Sequence, residues 1–262
     1  MKIRHTARMA LAGLALLLAL SVSAAAQQTP LDEYNTAIDR WTVACLVATA
    51  EMTVQIDDNE PASYTIKMWL HGSDTGVSVI TAADVDFLLG LAMLEEDRQV
   101  TAYWPTLGTS KTFASSQTDE EVGISAGWLE QVAAHPEDYT ATPGDEDDNE
   151  WRLDVRPIAE GGLFDHAVVH VTKSDQTISA ADFYDSTDAL VETDTVDEYT
   201  QKQRGDGTTV LFPLRTVVVD HEADKTTTFL YTDLTFPEHI DDAMFTLDSL
   251  QQIAEQALNG EL

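Results

Sequence analysis

Cysteine is almost absent from the sequence, since Cys45 is the single one among 262 residues. One cysteine excludes an intramolecular disulfide. It also argues against a thiolate metal cluster, because structural zinc sites use several Cys or His ligands. Cys45 is therefore expected to pack as a small buried apolar side chain, and the sequence predicts neither a metal nor a cofactor.

Basic residues are also scarce, with 14 Lys and Arg against 46 Asp and Glu and a formal net charge of −32. Repulsion from phosphates excludes nucleic acid as a partner. The acidic residues are spread along the chain rather than collected in a tail. We interpret this spread as adaptation to high salt, where the Debye length falls to about 3 Å at 1 M and self-repulsion is screened.

Long apolar runs are missing beyond the first 26 residues. Three basic residues within the first eight positions precede the apolar run Met9–Leu20, and small residues close the segment at Ala26. This is the pattern of a secretory signal peptide, and the run is shorter than the about 20 residues of a membrane span. We predict cleavage near Ala26, which would leave 236 of 262 residues, take the net charge from −32 to −35 and release a periplasmic protein without a transmembrane anchor.

Apolar periodicity predicts an antiparallel β protein with few helices. Thr29 can cap a helix that begins at Pro30 and carries an apolar stripe as far as Trp41. Further on, period-two alternation dominates and βαβ succession is missing, so a parallel sheet is not expected. Helices are predicted at Trp128–Ala134 and Ser249–Leu258, and strands at Met52–Ile56, Tyr64–Leu70, Val77–Ile80, Phe87–Leu94, Gln99–Trp104, Trp151–Val155, Ala167–Thr172, Thr177–Tyr184, Ala189–Asp194, Val210–Asp220 and Thr226–Leu234.

One segment matches a hydrolase motif, because Gly123, Ser125 and Gly127 spell G-x-S-x-G. In hydrolases this motif follows a buried strand. Here the preceding residues are SSQTDEE, which is a solvated turn composition. The context favours a serine at the start of a helix over a nucleophile, and no enzyme is predicted.

Two further groups could suggest a metal site. His166 and His170 lie in the β-branched segment DHAVVHV, where a strand would separate them by about 13 Å at 3.3 Å per residue, too far to share an ion. The acidic run at residues 145–149 lacks the ligand spacing of a calcium loop. We therefore interpret the histidines as ordinary strand residues and the acidic run as a solvated loop.

Apolar residues on one face of the predicted sheet are the remaining candidates for a binding site. Several are Met or Trp, side chains that suit an adaptable apolar pocket. The same pattern fits an ordinary core between a sheet and helices, and periodicity alone leaves both interpretations open. The candidate lining residues are Trp41, Met52, Val54, Ile56, Ile66, Met68, Leu70, Leu91, Met93, Val100 and Trp104.

The order of these segments resembles one known family, the LolA-like outer-membrane lipoprotein-sorting proteins. A signal peptide and an amphipathic helix are followed by strands that read AEMTVQI, YTIKMWL and VTAYWP. The later hairpin ISAADFYDSTDALVETDTVDEY and the ending FPEHIDDAMFTLDSL are also similar to the family. The resemblance covers nearly the whole chain after the signal peptide.

This resemblance implies a mainly β (α+β) fold, in which residues 27–262 form one domain. The expected architecture is an incomplete, strongly curved antiparallel β-barrel with helices covering its concave apolar face. The family carries lipoprotein acyl chains, or another lipid, from an ATP-driven inner-membrane extractor towards an outer-membrane acceptor. A cavity is needed because exposing acyl chains to water costs about 25 cal/mol per Å². In this picture Trp104 faces the cavity and Tyr103 the outside.

One stretch departs from the family pattern. The family's best-studied branch has a basic residue followed by Pro after the second strand, whereas this chain has MWLHGSD with His71 and Gly72. A lid-locking arginine is therefore not carried over, and the cargo can differ. The alternative function is an envelope sensor or protein-interaction module that keeps the same fold without carrying lipid.

Overall fold

The computed structural model describes residues 29–41, 43–122, 127–159 and 162–262. The predicted signal peptide, with its cleavage point near Ala26, lies outside the described residues, and so does Ser125 of the hydrolase-like motif. Within the described ranges, no helix has both the length and the apolar character needed to cross a membrane.

Within the described residues, thirteen antiparallel strands form one sheet, in the order β6-β5-β4-β3-β2-β1-β13-β12-β11-β10-β9-β8-β7. Among these strands, the edge strands β6 and β7 do not pair with each other, so the barrel is incomplete, and the predicted fold class is confirmed. The strands are β1 Cys45–Ile56, β2 Ala62–His71, β3 Thr75–Ala83, β4 Ala92–Glu96, β5 Gln99–Trp104, β6 Thr109–Ala114, β7 Tyr139–Glu146, β8 Glu150–Pro157, β9 His166–Thr172, β10 Ile178–Tyr184, β11 Leu190–Gln203, β12 Thr209–Asp220 and β13 Lys225–Thr235.

Strands in which apolar and polar residues alternate agree with the sequence prediction, whereas strands without this alternation were misplaced or missed. The structure confirms a strand in each predicted segment, beginning one residue later than predicted at Thr177 and Ala189, except over the first five residues of Phe87–Leu94. There Phe87 is exposed and belongs to a one-turn 3₁₀ helix, and Gly90 has a φ of +78°, so β4 begins only at Ala92. Edge strands β6 and β7 were missed because their sequences, TSKTFA and YTATPGDE, are too polar for an alternating signal.

In the part of the chain that the structure describes, four α-helices accompany the sheet: α1 Pro30–Asp39, α2 Thr118–Val122, α3 Trp128–Ala134 and α4 Leu247–Leu258. Helix α1 begins as predicted, since Thr29 Oγ1 accepts the backbone N–H of Asp32 at 3.2 Å and Asp32 Oδ2 accepts that of Thr29 at 3.0 Å. This reciprocal capping satisfies two donors at the helix start. The buried face of α1, with Tyr34 and Ile38, packs over strands β7 to β10.

Helix α4 lies on the opposite face of the sheet from the one that α3 covers. Its residues Leu250, Ile253, Ala254 and Ala257 pack against an apolar row that includes Val77, Val79, Ala92, Leu94, Trp69 and Tyr103. In the strand register Trp69, Val77 and Leu94 are cross-strand neighbours and therefore share one face. Tyr103 faces away from the cavity side, as expected, but packs with the α4 cluster.

Candidate functional site

A cavity of about 350 Å³ lies on the concave side of strands β1 to β5, β12 and β13. Two cross-strand rows form its wall. The first row joins Met68 of β2, Ser78 of β3 and Met93 of β4, which are register neighbours. The second row runs from Leu70 through Gly76 and Glu95 to Val100. Because side chains alternate across a strand, both rows point away from α4 and towards the cavity.

The segment between the edge strands β6 and β7 covers the cavity. Its described residues, 115–122 and 127–138, contain α2 and α3, and we call them the cover. Its lining residues are Ser115, Ser116, Thr118, Trp128, Glu130, Gln131, Ala133, Ala134 and His135. The other side of α3, with Leu129 and Val132, is buried against α1 and strands of the second half of the sheet. Helix α3 thus serves both as a wall of the cavity and as part of a packed core.

Two buried carboxylates hold the start of α3. The backbone N–H of Trp128 donates to Glu192 Oε1 and that of Leu129 donates to Asp194 Oδ2, each at 2.8 Å. These are the unpaired donors at a helix N-terminus, where negative charge is stabilised. Gly127 precedes them with a φ of +90°, and a Cβ there would lie 2.8 Å from Asp194 Oδ2. The position therefore requires glycine.

Burial raises the pKa of both anchoring carboxyls. Glu192 is 5% exposed, and loss of hydration raises its pKa to about 7. Asp194 is 1% exposed, and burial followed by the Glu192 charge raises its pKa well above the ordinary value. The anchor of α3 is therefore sensitive to the protonation of these two groups.

Two more carboxyls belong to the cavity wall itself. Glu130 comes from α3 and Glu95 from β4, and both line the cavity. Burial, and then the charge of Glu95, raise the pKa of Glu130 to about 8. Burial, and then the charge of Asp74, raise the pKa of Glu95.

Ion pairs fasten the far end of the cover to the sheet. Arg98, in the turn between β4 and β5, contacts Asp138 at 2.6 Å and Glu137 at 3.5 Å. His135 lies 3.4 Å from Asp74 and 3.7 Å from Glu137. These contacts join the end of the cover to turns on the β4–β5 side of the opening.

The structure brings six of the eleven predicted site residues to the cavity wall and places five elsewhere. The six are Trp41, Ile66, Met68, Leu70, Met93 and Val100. Four of the others, Met52, Val54, Leu91 and Trp104, are packed among protein side chains in an apolar cluster that also contains Ile66, Met68, Met93 and Val100 of the wall. Ile56 is 48% exposed at the end of β1 and is not part of the wall that the described residues form.

Sequence reasoning missed the polar part of the wall. Glu95 shares strand parity with Met93 in β4, so the alternation that points Met93 to the cavity also points Glu95 there. It was overlooked because a charged residue is not expected on a buried face. Glu130 and His135 gave no signal, because the direction in which α3 faces depends on tertiary packing.

The histidine motif behaves as predicted for a strand. His166 and His170 both belong to β9 and contact different acidic partners. His170 lies 3.3 Å from Glu150 and 3.5 Å from Asp182. Throughout the described residues, no group of three or more His, Cys, Asp or Glu side chains is arranged to hold a metal ion.

His71, which stands where the family pattern has a basic residue followed by Pro, does not reach the cavity wall. It lies 3.8 Å from Asp242 and its ring is 5.9 Å from the ring of Phe245. Its neighbour Gly72 does line the cavity. Among the described residues, Arg98 in the turn between β4 and β5 forms an ion pair with Asp138 at the end of the cover.

Comparison with known proteins places the chain in a family. One family model, whose description reads "Uncharacterized protein", matches residues 79–252, which is more than half of the chain. No curated protein matches the sequence.

Solved structures share the fold at low sequence identity. A LolA superfamily protein from Nitrosomonas europaea has a TM-score of 0.65 and 16% identity, covering 84% of this chain and 98% of that chain. A DUF1329 family protein from Desulfovibrio piger has a TM-score of 0.64 and 18% identity, with 84% and 98% covered. A putative outer membrane lipoprotein-sorting protein domain from Vibrio parahaemolyticus has a TM-score of 0.62 and 18% identity, with 84% and 97% covered. The chain therefore belongs to the family described as uncharacterized proteins, and it has the LolA-like fold that its sequence resemblance predicted.

Proposed function

We propose that this protein is an exported, periplasmic carrier that shields an apolar chain of a lipid or lipoprotein inside the cavity under α3. The single observation that supports this proposal most is the cavity itself. It lies where a packed core would otherwise continue, and Met68, Leu70, Met93 and Val100 give it an apolar wall. Its volume of about 350 Å³ is at the lower end of the range of about 300–1,000 Å³ for small-molecule sites, which suits one chain better than several.

The partners in this proposal follow from the carrier role. An ATP-driven extractor in the inner membrane would load the cavity, and an acceptor at the outer membrane would receive the cargo. The cover is the natural moving part, because α3 connects to the sheet edges on both sides and polar contacts hold both of its ends. Leu129 and Val132 of α3 are also packed in an apolar core, so movement of the cover has to break that contact as well as the polar ones.

The first experiment identifies the cargo. Protein purified without detergent from its own cell envelope is extracted with organic solvent, and the extract is examined by mass spectrometry. We expect a stoichiometric acylated species. A clean extract from well-folded protein would contradict the carrier proposal.

The second experiment tests the cavity with a matched pair of variants. Ser78→Phe places a ring between Met68 and Met93 in the wall, whereas Ser110→Phe places the same ring at an exposed position of β6. We expect Ser78→Phe to weaken binding of a fluorescent acyl-chain probe by about tenfold or more, because the ring occupies the site. Ser110→Phe should bind as the wild type does, and equal binding by both variants would exclude the cavity as the site.

One observation favours the alternative, an envelope module that binds a protein partner instead of lipid. Part of the concave face is filled by the protein's own side chains, including Met52, Leu91 and Trp104. A protein that only presents a surface has no need of an open cavity. This alternative predicts an empty cavity in the native protein, unchanged partner binding in Ser78→Phe, and a defined protein partner recovered by crosslinking in the cell envelope.

A further inference from the structure

Two acidic side chains stand in the cavity wall, among apolar residues and uncharged polar residues such as Ser116, Thr118 and Gln131. Glu95 enters from the sheet and Glu130 from the cover, so the two carboxyls belong to different elements of the wall. Among the described residues neither carboxyl has a hydrogen-bond or ion-pair partner. A partly desolvated carboxylate without a partner is costly, and such groups in a cavity mark a place where a ligand supplies the missing interaction.

Positive charge is missing from the same wall. No Lys or Arg is present among the described lining residues, and His135 is the one side chain of that wall able to become a cation. His135 already faces Asp74 and Glu137 at 3.4 and 3.7 Å. The remaining ionisable groups near Glu130 are Tyr231 and Asp194, which add no positive charge.

The electrostatics of the cavity therefore discriminate between polar ends of a cargo. An anionic end, such as a carboxylate or phosphate, would meet Glu95 and Glu130 in a region where water screens poorly. A cationic end would gain two charge partners and remove the cost of leaving them unpaired. A neutral end would gain hydrogen bonds but no charge pairing.

We propose that the cavity takes amphiphiles whose polar end is a cationic amine, with Glu130 and Glu95 as the counter-ions. This inference rests on the proposed function, because it names the chemical class of the molecule that the cavity binds. Apolar residues of the wall hold the chain, and the two carboxyls select the end group.

The test compares three amphiphiles of equal chain length: dodecylammonium, dodecanol and dodecanoate. Each displaces a neutral naphthylamine dye from the purified full-length mature protein. Salt of about 1 M, with a Debye length of about 3 Å, screens attraction by the large net charge of the whole protein. We expect dodecylammonium to bind at least about tenfold more tightly than dodecanoate, with dodecanol between them.

Variants assign this preference to the two carboxyls. Glu130→Gln and Glu95→Gln each keep the size of the side chain and should reduce the preference for the amine. In the double variant, the ratio of the affinities for dodecylammonium and dodecanoate should be close to one. Glu255→Gln makes the same chemical change at an exposed position of α4 and should keep the full preference. Equal binding of amine and carboxylate by the wild type would overturn the inference, and so would a preference that survives in the double variant.

Proton release gives a second, independent measurement. Since burial raises the pKa of Glu130 to about 8, much of it is protonated in the empty protein at neutral pH, and a bound ammonium must displace that proton. Calorimetry in buffers of different ionisation enthalpy should detect protons released by dodecylammonium in the wild type but fewer in Glu130→Gln. Identical release in both proteins would overturn the role of Glu130.

The neutral alcohol separates the two proposals. If dodecanol binds and Ser78→Phe abolishes its binding, the carrier proposal stands whatever the charge preference is. If dodecanol binds without any preference between amine and carboxylate, only the inference about the end group fails. If none of the three amphiphiles displaces the dye, both proposals fail.

Discussion

The two halves of the concave face differ although both are built from alternating strands. In the half formed by β7 to β11, α1 and α3 fill the space, and Phe164 and Phe183 meet edge to face with ring centroids 4.9 Å apart. In the half formed by β1 to β5, the helix that packs on β3 to β5, α4, lies on the other face, and the cavity remains. The comparison shows that the placement of the helices, rather than the pattern of the strands, decides whether a half of the concave face becomes a packed core or keeps a cavity.

The largest expected effect is a difference in stability between these halves. Phe183→Ala removes a fully buried ring from the filled half and should cost about 3–5 kcal/mol in the free energy of unfolding. Met93→Ala removes a side chain that already faces the cavity, so its cost should lie at or below the low end of about 2–5 kcal/mol. Urea denaturation measures both values. Equal losses would mean that the cavity half is packed as tightly as the other half.

Next in size is a dependence of stability on pH that originates at the cover. The pKa of Glu130 is raised to about 8 and that of Glu192 to about 7, whereas an unfolded glutamate titrates at about 4.3. Between these values the folded state binds more protons than the unfolded state, so the free energy of unfolding falls as the pH rises from about 4.3 to about 8. Melting temperatures across this range should show the decline.

A pair of variants assigns that decline to the cavity. Glu130→Gln cannot lose a proton and should make the decline shallower, with the part due to Glu192 and Asp194 remaining, whereas Glu255→Gln removes one charge from the exposed face of α4 and should leave the slope unchanged. The same slope in all three proteins would show that general charge repulsion, rather than the buried group, controls the response.

The smallest expected effect on stability concerns the ion pair at the end of the cover. Arg98→Ala removes the contacts to Asp138 and Glu137 and should cost at most about 1 kcal/mol, because the guanidinium is half exposed. Its effect on dynamics should be larger, since under the carrier proposal bound probe is released by movement of α3. We expect probe dissociation to accelerate by about threefold or more.

Arg156→Ala provides the matched control for that ion pair. Arg156 is equally exposed and pairs with Asp154 and Asp165 on the filled half, away from the cover. Its loss should leave probe dissociation unchanged. If stopped-flow measurements give the same rate for both variants, the Arg98 contact does not control the opening.

Much of the sheet was predictable because its strands alternate strongly. Met52, Val54 and Ile56 and the hairpin partners Ile66, Met68 and Leu70 follow a period of two, and turn residues such as Asp57, with a φ of +52°, separate the strands. Phe87–Leu94 misled the prediction because an apolar run without alternation fits a strand and a loop equally well. The positive φ of Gly90 breaks that run.

The candidate site was predictable only in part. Strand parity assigned Met52 and Met68 to the same face of the sheet. It gave no information on how deeply each side chain is buried: Met52 is packed among other side chains, whereas Met68 lines the cavity. The polar residues of the wall could not be predicted from the sequence. Glu130 faces the cavity because hydrogen bonds to Glu192 and Asp194 fix the orientation of the start of α3, and those residues are more than 60 positions away in the chain.

By itself, the sequence determined the antiparallel sheet, the capped first helix and the excess of negative charge, since these depend on local periodicity, capping residues and composition. Tertiary structure alone decided which part of the apolar face stays open and which carboxyls face it. Those features depend on where α3 and α4 pack, and packing is a relation between distant segments that no local pattern encodes.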